Sequence, residues 1–240
     1  MERLAGPHAV SAALDAGRSI DRILVARGAK GTQLQEIIDR CRKDHIPLRF
    51  EPREQLDRVS EGAAHQGILA MVAQKSYASL EELVDGSPPD ALIVVSDGIT
   101  DPHNLGAVVR SACATGAVCV VVAERRSAGL TDVVSKAAAG GLEYTPVARV
   151  KNINRALDQL KKQGFWVYGL DERAEQTIYD VDLTGRAALV FGSEGEGLHR
   201  LTASKCDALV RIPTAGQISS LNVSVAAGVV LFEALRQRRT

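Results

Sequence analysis

Short apolar runs alternate with segments of helical periodicity along the first seventy residues. In one such segment, Leu34, Ile37, Ile38 and Cys41 recur at the spacing of a helix face. The pattern predicts strands at 22–26, 47–50 and 67–72, and helices at 8–16, 32–43 and 53–60. We therefore expect a small α/β domain with its own core.

A polar stretch rich in Gly, Ser and Pro follows this unit. It contains Gly86-Ser-Pro-Pro89, which is typical of a domain boundary. Ser79 and Glu82 form a capping-box pattern, which predicts one helical turn at 80–84. The predicted divisions are a front domain, a linker and a second domain, at residues 1–73, 74–90 and 91–240.

Longer apolar runs continue the alternation in the second domain. Ala91-Leu-Ile-Val-Val95 is apolar throughout, as is typical of a parallel strand buried on both faces. Strands are predicted at 91–95, 118–122, 144–148, 165–169, 187–191 and 208–212, and helices at 104–115, 131–139, 152–163 and 222–236. This order predicts βαβ units and a mainly parallel sheet, whose ligands usually bind at the carboxyl ends of the strands.

Composition narrows the class of protein. Lys and Arg total 29, and Asp and Glu total 29, so the net charge is zero. That balance excludes a polybasic nucleic-acid coat but not a local basic patch. No apolar run approaches the ~18 residues of a membrane span, the four cysteines form no CxxC pair, and no His/Cys cluster has metal-ligand spacing. We expect a cytoplasmic globular protein with reduced thiols, no metal and no membrane partner.

Polar residues crowd the turn after the strand at 91–95. The segment Asp97-Gly-Ile-Thr-Asp-Pro-His-Asn-Leu-Gly-Ala-Val-Val-Arg110 leads into a helix, whose free N-terminal amides are suited to ligand binding. Arg110 lies at the edge of the apolar stripe of this helix. From spacing alone, it either points into a neighbouring cleft or covers the core with its stem while its charge stays in solvent.

A glycine-rich segment follows the strand at 187–191. Its sequence is Phe191-Gly-Ser-Glu-Gly-Glu-Gly-Leu198, and its glycines permit tight turns and close approach of the backbone to a ligand. Glu194 and Glu196 would repel a phosphate, so a cation, a hydroxyl or an amine fits this turn better. The alternative is an ordinary loop with two solvated acids.

A third polar segment leads into the last helix. It reads Ile212-Pro-Thr-Ala-Gly-Gln-Ile-Ser-Ser-Leu-Asn-Val-Ser224. Ser219 or Ser220 is a candidate N-cap, and Asn222 falls near the first turn. Capping explains one or two of these residues but not the whole cluster, which favours a ligand-binding loop.

The front domain offers few groups for stacking on bases. Phe50 is the one aromatic residue among the first 76, which excludes an aromatic RNA-binding sheet. Phosphate and shape contacts are expected instead. The basic candidates are Arg3, Arg18, Arg22, Lys30, Arg40 and Arg42.

Together, and in this order, the three segments of the second domain resemble the motifs of the SpoU (TrmH) family of RNA ribose 2′-O-methyltransferases. The family's first-motif Asn and Arg correspond to Asn104 and Arg110. Gly6-Pro-His-Ala-Val10 and His65-Gln-Gly67 also resemble the amino-terminal substrate-binding domain of bacterial 23S rRNA guanosine-2′-O-methyltransferases. His8 and His65 are therefore candidate RNA contacts, with core or capping roles as the alternative.

The resemblance implies a fold, a cofactor and an assembly. The implied fold is α/β: an L30e-like RNA-binding domain, then a SPOUT-type parallel sheet whose carboxyl-terminal segment forms a trefoil knot. A homodimer through the knotted domain and S-adenosyl-L-methionine as cofactor are also implied. The implied cofactor-binding residues are Gly192, Ile212 and Leu221, and the implied catalytic residues are Asn104, Arg110, Glu194 and Asn222.

The implied activity is 2′-O-methylation of a guanosine ribose in the peptidyl-transferase loop region of 23S rRNA, as free RNA or in an assembling large subunit. The family interpretation makes Arg110 the residue that activates the hydroxyl. A guanidinium, with a pKa above ~12, is a poor base, so we favour a clamp on the neighbouring phosphate. The proton would then leave through the phosphate, Glu194 or water. The alternatives are another rRNA or tRNA nucleotide, or a catalytically silent RNA-binding or ribosome-assembly protein.

Overall fold

The computed structural model of the protein describes residues 2–73, 75–216 and 220–239. These residues form two sheets, one of four strands near the amino terminus and one of seven strands in the rest of the chain. Helices connect the strands in both, and the α/β class expected from the sequence is confirmed.

The first sheet occupies the front of the chain. Its strands are β1 (Glu2–Ala5), β2 (Ile20–Ala26), β3 (Leu48–Glu51) and β4 (Ile68–Val72). Their spatial order is β1-β4-β2-β3, with β4 antiparallel to both neighbours and β2 parallel to β3. The connecting helices are α1 (Pro7–Asp15), α2 (Thr32–Lys43) and α3 (Arg53–Ser60). The apolar stripe predicted for α2 is buried, because these side chains pack into the core beside β2 and β4.

The second sheet is parallel throughout. Its strands are β5 (Leu92–Asp97), β6 (Cys119–Ala123), β7 (Val147–Val150), β8 (Trp166–Leu170), β9 (Gln176–Thr177), β10 (Ala187–Gly192) and β11 (Ala208–Arg211). They lie in the order β7-β6-β5-β10-β8-β11-β9, and all six pairings are parallel. β5 and β10 are buried at every position, and because they are adjacent and parallel, their carboxyl ends meet at one edge of the sheet.

Helices cover both faces of the second sheet. They are α4 (Leu80–Asp85), α5 (Pro102–Ala114), α6 (Asp132–Ala138), α7 (Ile153–Lys162), α8 (Arg200–Lys205) and α9 (Val223–Arg238). One face packs against α5, α6 and α9, and the other packs against α4 and α7. Side-chain caps fix several of these helix starts, since Asp101, Asn152 and Asn222 each accept a hydrogen bond from a backbone N–H of the first turn.

The segment between the two sheets is partly built into the second one. The Tyr77 hydroxyl accepts a hydrogen bond from the Leu130 N–H at 3.0 Å, and Ala78 forms a parallel bridge with Ala148 of β7. Ser79 caps α4 as predicted, accepting from the Glu82 N–H at 3.4 Å. Residues 77–85 therefore pack with the second sheet.

One predicted strand begins later in the structure than the sequence indicates. The strand expected at 144–148 begins at Val147, because the chain first forms a 3-10 helix, Gly141–Glu143, whose end is closed by a hydrogen bond from the Thr145 N–H to the Gly141 carbonyl at 2.9 Å. The four cysteines are free, and burial raises the pKa of the Cys119 thiol to about 12. Such a thiol stays protonated and inert at neutral pH.

Candidate active site

A cavity of about 500 Å³ opens at the carboxyl edge of the second sheet. Three loops form it, following β8, β10 and β11, together with the start of α9. This is the edge where ligands of parallel α/β sheets usually bind. The residues proposed from the sequence to hold a cofactor, Gly192, Ile212 and Leu221, all line it.

Gly192 allows the loop after β10 to fold back on itself. Ser193 and Gly197 exchange two backbone hydrogen bonds, each 3.0 Å long, which close the loop into a tight turn. A Cβ on Gly192 would lie 2.1 Å from the carbonyl carbon of Gly197 and 2.4 Å from the Leu198 nitrogen. Only glycine fits at this position, so the loop shape is set by backbone packing.

Three of the predicted catalytic side chains meet at the edge of this cavity. Glu194 Oε1 accepts hydrogen bonds from Asn104 Nδ2 at 2.7 Å and from Asn222 Nδ2 at 2.6 Å. Asn222 Nδ2 also lies 3.1 Å from Asn104 Oδ1. The network joins residues 90 and 118 positions apart in the chain.

Helix capping places two members of this network. Asp101 caps α5 through the His103 N–H at 2.8 Å and accepts from Asn104 Nδ2 at 3.3 Å. Asn222 caps α9, its Oδ1 accepting from the Ser224 N–H at 2.9 Å. The N-cap is thus Asn222 rather than Ser220, and Ser219 lies outside the described residues. The Oδ1 atom of Asn222 caps its helix, and the Oδ1 atom of Asn104 accepts from Asn222. The Nδ2 group of each amide donates to Glu194.

The loop is also fixed from behind by a buried carboxylate. Asp97, at the end of β5, accepts a hydrogen bond from the His199 N–H at 2.9 Å, and its other oxygen lies 3.0 Å from His199 Nδ1. A Cβ on Gly98 would lie 3.2 Å from the same ring. The end of the glycine-rich loop is therefore tied to the end of β5.

The lining of the cavity is predominantly acidic. Its charged residues are Asp171, Glu172, Glu194, Glu196, Arg173 and Arg211, and four carboxylates with two guanidinium groups give a formal charge of −2. Hydrogen bonds from Arg173 hold the pKa of Asp171 below its usual range. The cavity is better suited to a cationic ligand than to a phosphate, as expected from the sequence.

Arg110 lies apart from this cavity. It is exposed on α5, six residues or roughly 9 Å beyond Asn104 along the helix axis, and it is not among the residues that line the cavity. Within the described parts of the chain, no hydrogen bond or ion pair engages its guanidinium. The structure therefore leaves Arg110 accessible but does not bring it to the Asn104–Glu194–Asn222 network.

Several candidate RNA contacts of the front domain have structural partners instead. Arg3 pairs with Glu61, Arg18 with Glu143, and Arg40 with Asp15. His65 is buried, its Nε2 lying 2.8 Å from Asp57 Oδ1 and its Nδ1 accepting from the Gly67 N–H at 3.0 Å. His65 thus has the core role that the sequence left open, whereas His8 is exposed.

The loop 170–173 after β8 is a part of the cavity that the sequence analysis missed. The sequence does carry a signal for this loop, since Asp171-Glu-Arg173 begins two residues after the end of the strand predicted at 165–169. Over residues 2–73, 75–216 and 220–239, no group of three or more His, Cys, Asp or Glu side chains is arranged to hold a metal ion. Within the same ranges, no helix is both long and apolar enough to cross a membrane.

The fold and the site together define an α/β protein with a cavity of small-ligand size at the carboxyl edge of a parallel sheet, next to a fixed carboxylate. Comparison with known proteins identifies its family. The profile of the SpoU rRNA methylase family matches residues 91–232. A second profile, for RNA 2′-O ribose methyltransferase substrate binding, matches residues 3–78.

Curated relatives match along almost the whole chain. The 23S rRNA (guanosine-2′-O-)-methyltransferase RlmB of Pseudomonas putida is 43% identical over 243 residues, covering 100% of this chain and 98% of the relative. The protein of the same name from Xylella fastidiosa is 45% identical over 219 residues, covering 90% of this chain and 88% of the relative.

Solved structures show the same fold. The SpoU methyltransferase AviRb from Streptomyces viridochromogenes, in complex with the cofactor AdoMet, superposes with a TM-score of 0.83 at 27% identity, covering 99% of this chain and 90% of that one. An RNA 2′-O ribose methyltransferase gives a TM-score of 0.81 at 29% identity, covering 99% and 89%. The chain belongs to the SpoU rRNA methylase family.

Proposed function

We propose that this protein transfers a methyl group from S-adenosylmethionine to the ribose 2′-oxygen of a guanosine in 23S rRNA. The observation that carries the proposal is the Asn104–Glu194–Asn222 network at the edge of the cavity. The names of the relatives, which match nearly the whole chain, support guanosine in 23S rRNA as the target.

The cavity fits the cofactor in size and charge. Small-ligand sites commonly enclose ~300–1,000 Å³, and this cavity encloses about 500 Å³ with a net acidic lining. When bound, S-adenosylmethionine supplies a methyl group on a sulfonium cation. Main-chain groups of Gly192, Ile212 and Leu221 are proposed to hold it, since backbone donors and acceptors read the edges of an adenine.

The polar network is proposed to orient the ribose. Methyl transfer needs the 2′-oxygen aligned with the methyl carbon and relieved of its proton. Glu194, held by two amides, is fixed in position to accept a hydrogen bond from that hydroxyl. Arg110 is proposed to clamp the neighbouring phosphate with two N–H donors. Arg110→Lys should therefore lose most turnover, and a variant with nearly full turnover would contradict the bidentate clamp.

A second copy of the chain is proposed to complete the assembly. Phe232 on α9 is 53% exposed, and Val225 lies on the same helix face, seven residues earlier, with similar exposure. A Cβ on Gly228 would lie 3.9 Å from the Ser111 hydroxyl, so α9 crosses α5 next to Arg110. A homodimer that covers this apolar face would bring Arg110 to the interface between subunits.

Light scattering tests this assembly. Phe232→Glu should give a monomer with little methyl transfer, because a charge on the apolar face opposes association. Trp166→Glu is the matched control, since Trp166 is equally exposed but lies at the start of β8. A monomeric wild type, or a dimer that survives Phe232→Glu, would contradict this interface.

The remaining parts of the proposal follow from the family. Residues 1–73 would bind the RNA, residues 74–90 would join them to the methyltransferase domain at 91–240, and the carboxyl-terminal segment would thread into a trefoil knot. The substrate would be 23S rRNA, free or in an assembling large subunit, in the cytoplasm.

Ribose-methylation mapping tests the activity directly. We expect one 23S rRNA guanosine to carry a 2′-O-methyl group only in cells that contain the protein. Transfer of label from S-adenosylmethionine to 23S rRNA transcripts should show the same position. An unchanged 23S map with a lost tRNA site would assign another substrate, and a folded protein that binds no S-adenosylmethionine would indicate a catalytically silent RNA-binding protein.

A further inference from the structure

A buried carboxylate joins the front of the chain to the second sheet. Glu143, at the end of the 3-10 helix, has a side chain only 2% exposed. Its Oε1 accepts a hydrogen bond from Nη1 of Arg18 at 2.6 Å, and the Arg18 side chain is 8% exposed. Nζ of Lys75 lies 3.1 Å from Oε2. One carboxylate of the second domain is therefore held by two cations, one from the front domain and one from the connecting segment.

The same arginine also binds the chain that leaves the first sheet. Nη2 of Arg18 donates to the carbonyl of Ala73, directly after β4. Close packing accompanies these polar contacts, because a Cβ on Gly140 would lie 2.9 Å from Cβ of Ala12 in α1. We call the group Arg18, Lys75, Gly140 and Glu143 the domain seam.

The domain seam continues into the helix that carries predicted catalytic residues. Gly141 packs on α5, where a Cβ on it would lie 3.3 Å from Cα of Arg110 and 3.4 Å from Cβ of Cys113. An uninterrupted set of contacts thus runs from the turn at Arg18, through Glu143 and Gly141, to α5. Any shift of the front domain at Glu143 would act on the element that holds Asn104 and Arg110.

The chemistry of the domain seam favours a geometric role. Burying charges costs desolvation, and an apolar pair of similar volume usually stabilises a protein as well or better. A buried ion pair is directional and tolerates few relative orientations of the two parts it joins. A fixed angle between the domains is what an enzyme needs when one domain grips the RNA and the other presents the reactive site.

We propose that Glu143 is a positioning residue that sets the angle between the RNA-binding front domain and α5, and so delivers the target ribose to Glu194. The proposal rests on the proposed function for its RNA part only. The orientation itself is tested without RNA, so the failure of one part is distinguishable from the failure of the other.

Trypsin measures the orientation. Cleavage after Lys75 separates residues 1–75 from 76–240. When the domain seam opens and closes faster than trypsin cleaves, the cleavage rate is proportional to the fraction of molecules in which the seam is open. Glu143→Gln and, from the other side, Arg18→Met should each raise this rate by roughly tenfold or more. Asp207→Asn is the control, since it removes a carboxylate paired with Lys161 at 2.7 Å within the second domain. It should leave cleavage at Lys75 unchanged.

Steady-state kinetics measure the effect on RNA delivery. In both domain-seam variants, KM for the 23S rRNA substrate should rise by roughly tenfold to a hundredfold, while kcat and the Kd for S-adenosylmethionine stay near wild type. A loss of stability alone would not produce this split. Arg18→Met breaks the same ion pair by changing its front-domain partner. If Glu143→Gln does not fold, Arg18→Met alone tests whether the pair sets the angle between the domains.

Three results would overturn the proposal. The first is cleavage at Lys75 that remains slow in both variants. The second is fast cleavage with an unchanged KM for RNA. The third is a rise in the rate of cleavage at Lys75 in Asp207→Asn that equals the rise in the domain-seam variants. If the wild type methylates no RNA, the proposed function fails, and the cleavage rates still show whether Glu143 fixes the domain orientation.

Discussion

Two glutamates, Glu194 at the cavity and Glu143 at the domain seam, are each held by residues from distant segments, but their partners differ in charge. Glu194 is exposed and accepts from two neutral amides at 2.7 and 2.6 Å. Glu143 is buried and faces two cations. The amides orient Glu194 without neutralising it, so its charge remains available to a ligand. The cations neutralise Glu143, so it serves to connect parts of the protein.

The partners of a carboxylate indicate whether its charge stays available to a ligand or is used within the protein. Hydrogen bonds from neutral donors fix a geometry and leave the charge unpaired, which is what a site for a cation or a hydroxyl needs. A buried carboxylate without a counter-charge would be unstable, so burial and cationic partners occur together.

The largest effect is expected from Gly192→Ala, which tests whether backbone packing presents Glu194. Its Cβ would lie 2.1 Å from the Gly197 carbonyl carbon, and backbone atoms cannot move aside as a flexible side chain can. Such overpacking costs ~3 kcal/mol or more, and we expect affinity for S-adenosylmethionine to fall by ~100-fold or more. Calorimetric titration of the variant with S-adenosylmethionine measures this affinity.

Gly185→Ala is the control, because nothing lies within 4 Å of a Cβ at that position. It should bind the cofactor as the wild type does. Normal binding by Gly192→Ala would show that the loop adjusts and that its shape does not determine the site.

A pair of isosteric substitutions tests the comparison itself. Glu143→Gln leaves the buried Arg18 and the partly exposed Lys75 without a counter-charge, and it should lower the free energy of unfolding by about 3 kcal/mol. Glu194→Gln should change it by less than ~1 kcal/mol, while methyl transfer falls by about 100-fold. Urea denaturation and a transfer assay measure the two quantities. Equal losses of stability would erase the distinction between the two glutamates.

Much of the fold could be predicted from local pattern. The stripe of α2 and the apolar runs of β5 and β10 were recognisable because their periodicity is written in neighbouring residues. The strand β1 was missed, since Glu2-Arg-Leu-Ala5 has no strand pattern of its own and forms by pairing with β4. The same holds for β9, whose two residues pair with β11.

The candidate site was predictable to the extent that its segments carry motifs. Asn104, Glu194 and Asn222 each stood out in a polar loop after a strand, and the structure brings them together. Glu143 lies in an inconspicuous segment, and its partner Arg18 is 125 residues away. A contact of that kind depends on the docking of two sheets, which no local pattern encodes.

A smaller effect separates capping from ligand binding in the network. Asn222→Ala removes both the cap of α9 and a donor to Glu194. Asn152→Ala removes only a helix cap. In the wild type, Asn152 Oδ1 caps α7 by accepting a hydrogen bond from the Arg155 N–H at 3.1 Å. Both should lose about 1 kcal/mol of stability, but only Asn222→Ala should also weaken methyl transfer, by roughly tenfold or more. An equal methyl-transfer rate in the two variants would show that Asn222 only caps α9 and has no further role in the site.

The smallest effect concerns an exposed ion pair within the front domain. Arg3 Nη1 lies 2.6 Å from Glu61 Oε1, but the Glu61 side chain is 69% exposed. The hydrogen bond from Arg3 lowers the pKa of Glu61. Because this pKa is lower in the folded state, the pair contributes stability above the ordinary glutamate pKa, and the contribution is lost as pH falls through the folded value.

Salt distinguishes this pair from the buried one. Exposed charges are screened, so Glu61→Gln should lower stability slightly at low salt and pH 7, and not at all in 0.5 M salt, a concentration at which the Debye length is only a few ångströms. The loss caused by Glu143→Gln should be nearly the same at both salt concentrations, because the Glu143 side chain is only 2% exposed and buried charges are screened little. Urea unfolding of both variants at low and high salt measures this. A loss for Glu143→Gln that shrinks with salt would mean that the domain seam is open to solvent, and the contrast between a neutralised structural glutamate and a charged binding glutamate would disappear.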